Sequence, residues 1–390
     1  MRNAAAHART TEYDREERSR RSYANAPPDT FLFASVTMLV AIGLVMIFSA
    51  SSTVAYVMYH DVAFYFKRQL IWLVVGTICA YGAYRLDYHI LKRAAPYLLV
   101  AAILGLVLVL VPHVGFVVNG ARRWIGAGAF SIQPSEFAKL ALVIYLAAML
   151  SVRGERITQF ATGLAPLCIP PILMAMLVFK EPDMGTASLL VMIAFAMFFA
   201  AGARIPHLLG IIAVTLPVAA GAVLSSSYRR ARILAFIDPW KDAQNTGFHI
   251  VQSLLALGSG GLLGVGLGAS RAKFFYLPEQ YTDFIFSVLG EELGLIGALF
   301  VIALFIVLAY RSIRIAIAAP DKFGSFLAIG SAATIVIQAF VNIGVVTSSW
   351  PVTGVPLPFI SFGGSSLVVN LVLVALIANV GRYRRVNLSA

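Results

Sequence analysis

In the segment from about Ser225 to Gly294, charges, glycines and amides crowd together between apolar runs of membrane-spanning length, so polar chemistry has its place there. Its most telling residue is Asp283, which stands where that segment meets the apolar run Phe284 to Tyr310. A carboxylate at such a boundary is half desolvated. Burial raises its pKa and neighbouring Arg or Lys lower it, and either way it is a candidate general base. A second reading stands beside this one, in which Thr282 or Asp283 caps the helix that follows. Glu279 falls one helical turn earlier if that stretch is helical.

Glu136 and Lys139, in QPSEFAKL, are three residues apart and so share one helix face. Pairing lowers the cost of placing both at membrane depth, and the pair either supports the structure or shapes a polar cavity that reaches a substrate. Arg122, Arg123 and Trp124 follow Gly120 in a short loop. Forked guanidinium hydrogen bonds to a diphosphate, with Trp at headgroup depth, are one reading, and an interfacial anchor is the other. Glu181 and Asp183, in KEPDMG, sit at a helix start, where capping is a better expectation than a metal site. The series Gly258, Gly260, Gly261, Gly264, Gly266 and Gly268 lacks the Lys-Ser/Thr of a nucleotide-binding loop and reads as tight turns and close packing. Glu291 and Glu292 lie about two turns into the eighth span, so at least one needs a partner inside the bundle. His249 has no second His or Cys at ligand spacing and reads as a local hydrogen bonder. Between Pro351 and Pro358 three prolines forbid a continuous helix, and Gly363-Gly364-Ser365-Ser366 then offers a helix entry, for an anion or for packing.

The elements that must hold these groups are legible from composition. Of 390 residues, 59% are hydrophobic and 12% charged, with a mean hydropathy of +0.84, which excludes a water-soluble globule and places the chain among all-α polytopic integral membrane proteins. At about 20 apolar residues per crossing, ten spans are expected, beginning near Phe31, Arg68, Ala95, Pro134, Ala161, Met184, Pro206, Phe284, Lys322 and Phe362. Residues 1–29 mix arginines with acids and read as a disordered cytoplasmic tail, residues 30–385 as the transmembrane domain, and residues 386–390 as a cytoplasmic end. Basic residues such as Arg85, Lys92, Arg93, Arg153, Arg156, Arg311 and Arg314 fall in alternate short segments, which predicts both termini inside. The large loop of about 228–283, between the seventh and eighth spans, then faces outward. Its Arg229, Arg230, Arg232, Lys241, Arg271 and Lys273 invite an anionic substrate at the outer leaflet. The net charge of +12 is spread over short inter-span segments, as orientation and lipid contact require, and not over a nucleic-acid surface. Cys79 and Cys168 both lie in apolar runs and point to neither a disulfide nor a zinc site. No repeat of transporter type is visible.

Five motifs in order, RRWIG, QPSEFAK, FIDPW with GFHIVQSLLALGSGG, YLPEQYTDFIF with GEELG, and PVTGVPLPFISFGGSS, resemble the SEDS family of shape, elongation, division and sporulation proteins. They cover nearly everything after the first 30 residues, and resemble its division branch and sporulation relative more closely than its elongation branch. The resemblance implies about ten transmembrane helices and a peptidoglycan glycosyltransferase that polymerises lipid II outside the bacterial cytoplasmic (inner) membrane, with a septal role in cell division. It implies that Asp283 is essential, that Glu136 and Lys139 match the family's Glu and Lys, and that Trp124 matches its Trp. Arg122, Arg123, Arg229, Arg230, Lys273 and Glu279 are the further candidates for substrate binding. Tyr281 stands where many members have His, so a mechanism relying on that His does not transfer. The family also implies a class B penicillin-binding transpeptidase and other divisome proteins as partners. No cofactor is certain. A divalent cation, Mg or Mn, would suit the chemistry, and the sequence does not identify its ligands. The rival readings are a lipid II flippase and a scaffold that recruits the transpeptidase.

Overall fold

A computed structural model describes residues 27–118, 121–127, 130–224, 227–274 and 276–383 of the chain. Its helices are α1 (Thr30–Tyr59), α2 (Phe64–Arg85), α3 (His89–Leu110), α4 (Pro134–Arg153), α5 (Ala165–Lys180), α6 (Met184–Ala200) and α7 (Ile205–Leu224), then α8 (Ser227–Ile237) and α9 (Phe248–Gly260), and finally α10 (Ile285–Ile317), α11 (Lys322–Val346) and α12 (Gly364–Arg382). Leaving aside α8 and α9, these occupy the ten expected spans among the described residues. Seven of them, α1, α3, α4, α5, α10, α11 and α12, are long and apolar enough to cross a membrane, with the short helical turns at 154–158 and 160–164 counted into α4 and α5. The protein is a multi-pass membrane protein. In α12, 89% of the apolar window is buried, against 22% in α3, so α12 is a central post and α3 a lipid-facing wall.

Two features depart from the expected outline. Residues between α3 and α4 form a three-stranded antiparallel sheet, β1 (Gly115–Val118), β2 (Ala121–Ala127) and β3 (Phe130–Ile132), so the arginine and tryptophan motif is a strand and not a loop. Residues 1–26 of the expected tail, like residues 384–390, lie outside the described residues. Asp29, assigned to that tail, is instead part of the fold: its Oδ1 accepts the Leu32 amide at 3.1 Å and caps α1, and its carboxylate meets Arg311 of α10 at 2.5 Å. The charge that caps α1 is therefore bound to a partner about 280 residues away, which no local pattern encodes.

The glycine series does its work at membrane depth. Gly294 breaks α10 with φ 67°, and a Cβ there would lie 2.3 Å from the Gly264 nitrogen. The backbone groups freed by the break are met by the segment that follows α9: Val265 N donates to Glu291 O at 3.0 Å, Gly266 N to Glu292 O at 3.1 Å, and Leu295 N to Gly261 O at 2.9 Å. These partners lie six to ten residues beyond the first residue of α10, roughly 9–15 Å from its start. The chain therefore dips back into the bundle after α9, with its polar backbone satisfied against a broken helix, as hydrocarbon requires.

Both glutamates ahead of the break are partnered. Glu291 Oε1 accepts the Arg271 amide at 2.9 Å, and Glu292 Oε1 accepts the Ser49 hydroxyl at 2.6 Å. Lys273 joins this set: its Nζ lies 3.8 Å from Glu292 and donates to the Gly268 carbonyl. Its side chain is buried. Lys273 thus pins the dipping loop, and is not positioned on the open face where a substrate-binding lysine was expected.

Candidate active site

The end of the bundle at which α4, α6, α10 and α12 start and α11 finishes carries the site. Asp283, half-buried, precedes the Phe284 cap of α10, so it sits at the helix entrance while its own side chain caps nothing in the observed hydrogen bonds. Its backbone is clamped: Asn342 Nδ2 on α11 donates to Asp283 O at 2.7 Å and to Val355 O at 2.8 Å. On the next residue back, Ser361 Oγ donates to Thr282 O at 2.5 Å. The carboxylate faces the Pro-rich strap between α11 and α12, where Gly354 has φ 71° and a Cβ would come within 3.3 Å of Asp283 Oδ2. Glycine there keeps the approach to the carboxylate open and supplies the left-handed backbone.

Four charged groups from four elements act on Asp283. Burial raises its pKa first, Glu279 and Asp183 raise it further, and Arg123 and Arg232 pull it back, leaving it at about 7. Arg123 comes from β2. Its Nε donates to Glu181 O at 3.1 Å, Nη2 donates to Pro182 O, and Nη1 lies 3.7 Å from Asp183 Oδ2. Asp183 itself caps α6 by accepting the Thr186 amide at 3.0 Å, the capping role expected of it. Glu181 does not cap the start of α6 but closes the end of α5; it is wholly buried, and burial followed by Asp183 pushes its pKa to about 8. Glu279 adopts φ 53° and its Oε2 accepts the Thr282 hydroxyl at 2.9 Å, so the stretch before Asp283 is a turn and not a helix. Arg232, on α8, donates from Nη1 to Val352 O of the strap at 3.3 Å.

Strand geometry separates the two arginines that were read as one diphosphate grip. The register of β1 on β2 shifts at Arg123, which has no partner opposite it, and the two side chains are fastened apart, Arg123 on the carboxylate side against Glu181 and Pro182. Arg122 Nη1 reaches the Leu110 carbonyl at the end of α3, at 3.4 Å. Of the loop arginines, Arg230 is exposed on α8, the Arg229 side chain lies outside what is described, and Arg232 is the one drawn to the site. His249, expected to be a local hydrogen bonder, stacks on Phe284 with centroids 5.8 Å apart, and its buried Nδ1 has no hydrogen-bond partner among the described residues. Tyr281 donates its hydroxyl to that of Tyr65 on α2 at 3.1 Å.

Comparison with known proteins shows the family of the chain. Residues 29–386 match the FtsW/RodA/SpoVE family model, described as cell cycle protein. The chain belongs to that family. It is 47% identical to stage V sporulation protein E of Bacillus subtilis over 358 residues, 92% of this chain and 98% of that one. To a probable peptidoglycan glycosyltransferase FtsW of Geobacter metallireducens it is 44% identical over 352 residues, 90% of this chain and 94% of the relative. Among solved structures, it is similar to the rod shape determining protein RodA of Thermus thermophilus, with a TM-score of 0.67 at 29% identity, covering 92% of this chain and 97% of that one. A chain from a peptidoglycan synthase complex, studied for its coordination of polymerization and crosslinking, gives a TM-score of 0.77 at 31% identity and covers 92% of this chain and 98% of its own.

In this FtsW/RodA/SpoVE member the Glu136 and Lys139 pair lies under the strap, apart from the Asp283 carboxylate. Lys139 Nζ meets Glu136 Oε1 and Oε2 at 2.9 and 2.8 Å and donates to Gln338 Oε1 on α11 at 2.6 Å. Gln338 Nε2 in turn donates to Pro356 O of the strap at 2.9 Å. Asn342 and Gln338, one helical turn apart on α11, therefore hold the strap at Val355 and Pro356, with the ion pair behind Gln338. Both charges are almost wholly buried, so breaking the pair leaves an uncompensated charge. Lys139→Met is expected to cost about 3–5 kcal/mol of stability, and Glu136→Gln combined with Lys139→Met to recover most of it. Thermal unfolding of the purified variants in detergent checks both.

Among the described residues no group of three or more His, Cys, Asp and Glu side chains converges to hold a metal ion. The cations that act on Asp283 are Arg123 and Arg232.

Proposed function

We propose that this chain is a peptidoglycan glycosyltransferase that polymerises lipid II at the outer face of the bacterial cytoplasmic membrane, with both termini in the cytoplasm and a role at the division septum. The observation that carries this reading is the half-buried Asp283 carboxylate, poised near neutrality between two acids and two arginines, in a member of a family whose relatives bear that activity in their names. Asp283 takes the proton from the 4-hydroxyl of the acceptor sugar. The freed oxygen forms a bond to the anomeric carbon of the donor sugar, inverting it, as the bond from that carbon to the undecaprenyl diphosphate breaks. One base suffices because the diphosphate is a good leaving group, unlike the two carboxylates that glycoside hydrolysis needs. Negative charge grows on the departing diphosphate, where Arg123 and Arg232 offer fixed cations. A class B penicillin-binding transpeptidase would cross-link the product, in keeping with the fold likeness to a synthase-complex chain.

Purified chain, alone and with its transpeptidase, should polymerise labelled lipid II, and its pH profile should report the base. A general base works ionised. With the Asp283 pKa raised to about 7, kcat/KM should therefore fall about tenfold per pH unit below 7 and level off above it. A rate flat from pH 5 to pH 8 would remove Asp283 as the base.

A further inference from the structure

At the far end of the bundle from Asp283, a groove of about 540 Å³ runs between α1, α2 and α12. Val36, Val40, Leu73, Leu371 and Val374 contribute its apolar wall. On α2 the lining residues Leu73, Thr77, Ala80, Tyr81 and Tyr84 recur on one helix face over eleven residues. That is roughly 16 Å, close to the thickness of one leaflet of a hydrocarbon core of about 30 Å. The groove is thus as long as one acyl chain is deep.

Its polar end is marked by two arginines. Arg85, the last residue of α2, lies over the Tyr81 ring at 5.1 Å and donates from Nε to the Tyr81 hydroxyl at 2.9 Å. Arg382, the last residue of α12, lies over the Tyr84 ring at 4.9 Å and donates from Nη1 to the Tyr84 carbonyl at 2.7 Å. Tyr81 and Tyr84 both line the groove, so each guanidinium is fixed at its mouth. Each guanidinium has five donors, so most of each fork is left over for an anion. The site is separate from the reaction. Tyr281 touches Tyr65 at the start of α2, twenty residues and roughly 30 Å along the helix from Arg85.

We propose that this groove holds an acyl chain of an anionic glycerophospholipid whose phosphate is gripped by Arg85 and Arg382. An apolar wall alone accepts any lipid tail. Two cations fixed at headgroup level add a preference for a net negative headgroup, since each Lys or Arg near an anionic surface strengthens attraction by about fivefold. The occupant ties α2 to α1 and α12 at the end where Asn379 of α12 already donates to the Ala83 and Leu86 carbonyls, at 2.7 and 2.5 Å.

Native mass spectrometry of the full chain from micelles holding equal amounts of phosphatidylglycerol and phosphatidylcholine, with matched acyl chains, tests the headgroup. Wild type is expected to retain phosphatidylglycerol over phosphatidylcholine by about tenfold or more. The Arg85→Gln/Arg382→Gln variant should lose that selection while keeping phosphatidylcholine, and Arg85→Lys/Arg382→Lys should keep part of it. Photolabelling of wild type by phosphatidylglycerol with a diazirine in its acyl chain tests the groove. Peptides spanning residues 71–84 and 369–377 should carry the label. Equal retention of the two lipids by wild type, selection unchanged in the glutamine variant, or labelling confined to other helices would each overturn the proposal.

Discussion

Asp283→Asn should lower the rate of lipid II polymerisation by about 10²- to 10⁴-fold, the range for loss of a positioned general base. The substitution keeps the size of the side chain beside Gly354 and leaves the Asn342 bond to the Asp283 carbonyl intact, so the fold has no reason to suffer. It should in fact gain. The folded protein holds this carboxyl at about 7, above its unfolded range near 4, so folding disfavours the ionised form. The resulting penalty is absent below about pH 4, grows as pH rises from 4 to 7, and is complete above that. An amide never carries the charge. The variant should therefore unfold at the same temperature as wild type near pH 4 and at an equal or higher temperature at pH 8. A dead variant that melts earlier at pH 8 would make Asp283 a structural residue.

Much of this arrangement was legible before any coordinates. Ten spans could be counted because hydrocarbon thickness sets a length that apolar runs must meet, and the helices α4, α6 and α11 begin at the residues the pattern marks, Pro134, Met184 and Lys322. Asp283 was legible because a carboxylate at the edge of an apolar run is costly wherever it has no purpose. What stayed hidden depends on long-range contact. The sheet between α3 and α4 is three short strands inside a Gly-rich stretch, too brief for alternation to stand out from a loop. Arg232 and Arg230 are equivalent in a list of loop charges, and only the turn of α8 sends one toward Val352 and leaves the other exposed.

Lys273 and Glu279 show the same limit from two sides. A lysine in a basic outer loop reads as a substrate ligand until α10 breaks at Gly294 and brings Glu292 beneath it. The signal for that was present in part, since two adjacent glutamates inside an apolar run demand partners, but nothing local said which cation would answer. Glu279 was expected one helical turn ahead of Asp283. It reaches Asp283 across a turn of positive φ instead, and so acts on the same carboxylate through a different backbone path. Glu181 and Asp183, read together as caps, divide. Asp183 caps α6, whereas the Glu181 carbonyl holds Arg123.

That hold on Arg123 leads to the second large effect. Arg123→Gln should lower kcat by about 10²- to 10³-fold, the usual cost of removing one fixed donor from developing charge, while neighbouring Arg122→Gln should change it by less than about threefold. The difference follows from what the two side chains hold on either side of the register shift in β2: one guanidinium is fastened to the Glu181 and Pro182 carbonyls beside Asp183, and the other to Leu110 at the end of α3. A purely structural Arg123 would also slow the enzyme, so the pH profile is the sharper reading. Arg123 is a cation that lowers the Asp283 pKa, whereas Arg122 is not among the groups that shift it. Removing Arg123 lets burial, Glu279 and Asp183 act with less opposition, and the Asp283 pKa climbs above about 7. The acid limb of kcat/KM should therefore move to higher pH in Arg123→Gln and stay in place in Arg122→Gln. Arg123→Lys should restore much of the limb's position, because the charge returns, but little of kcat, because a point charge does not reproduce the fork. Equal losses for the two glutamine variants, or a limb that stays put when Arg123 is removed, would show that the charge at position 123 does not reach the base.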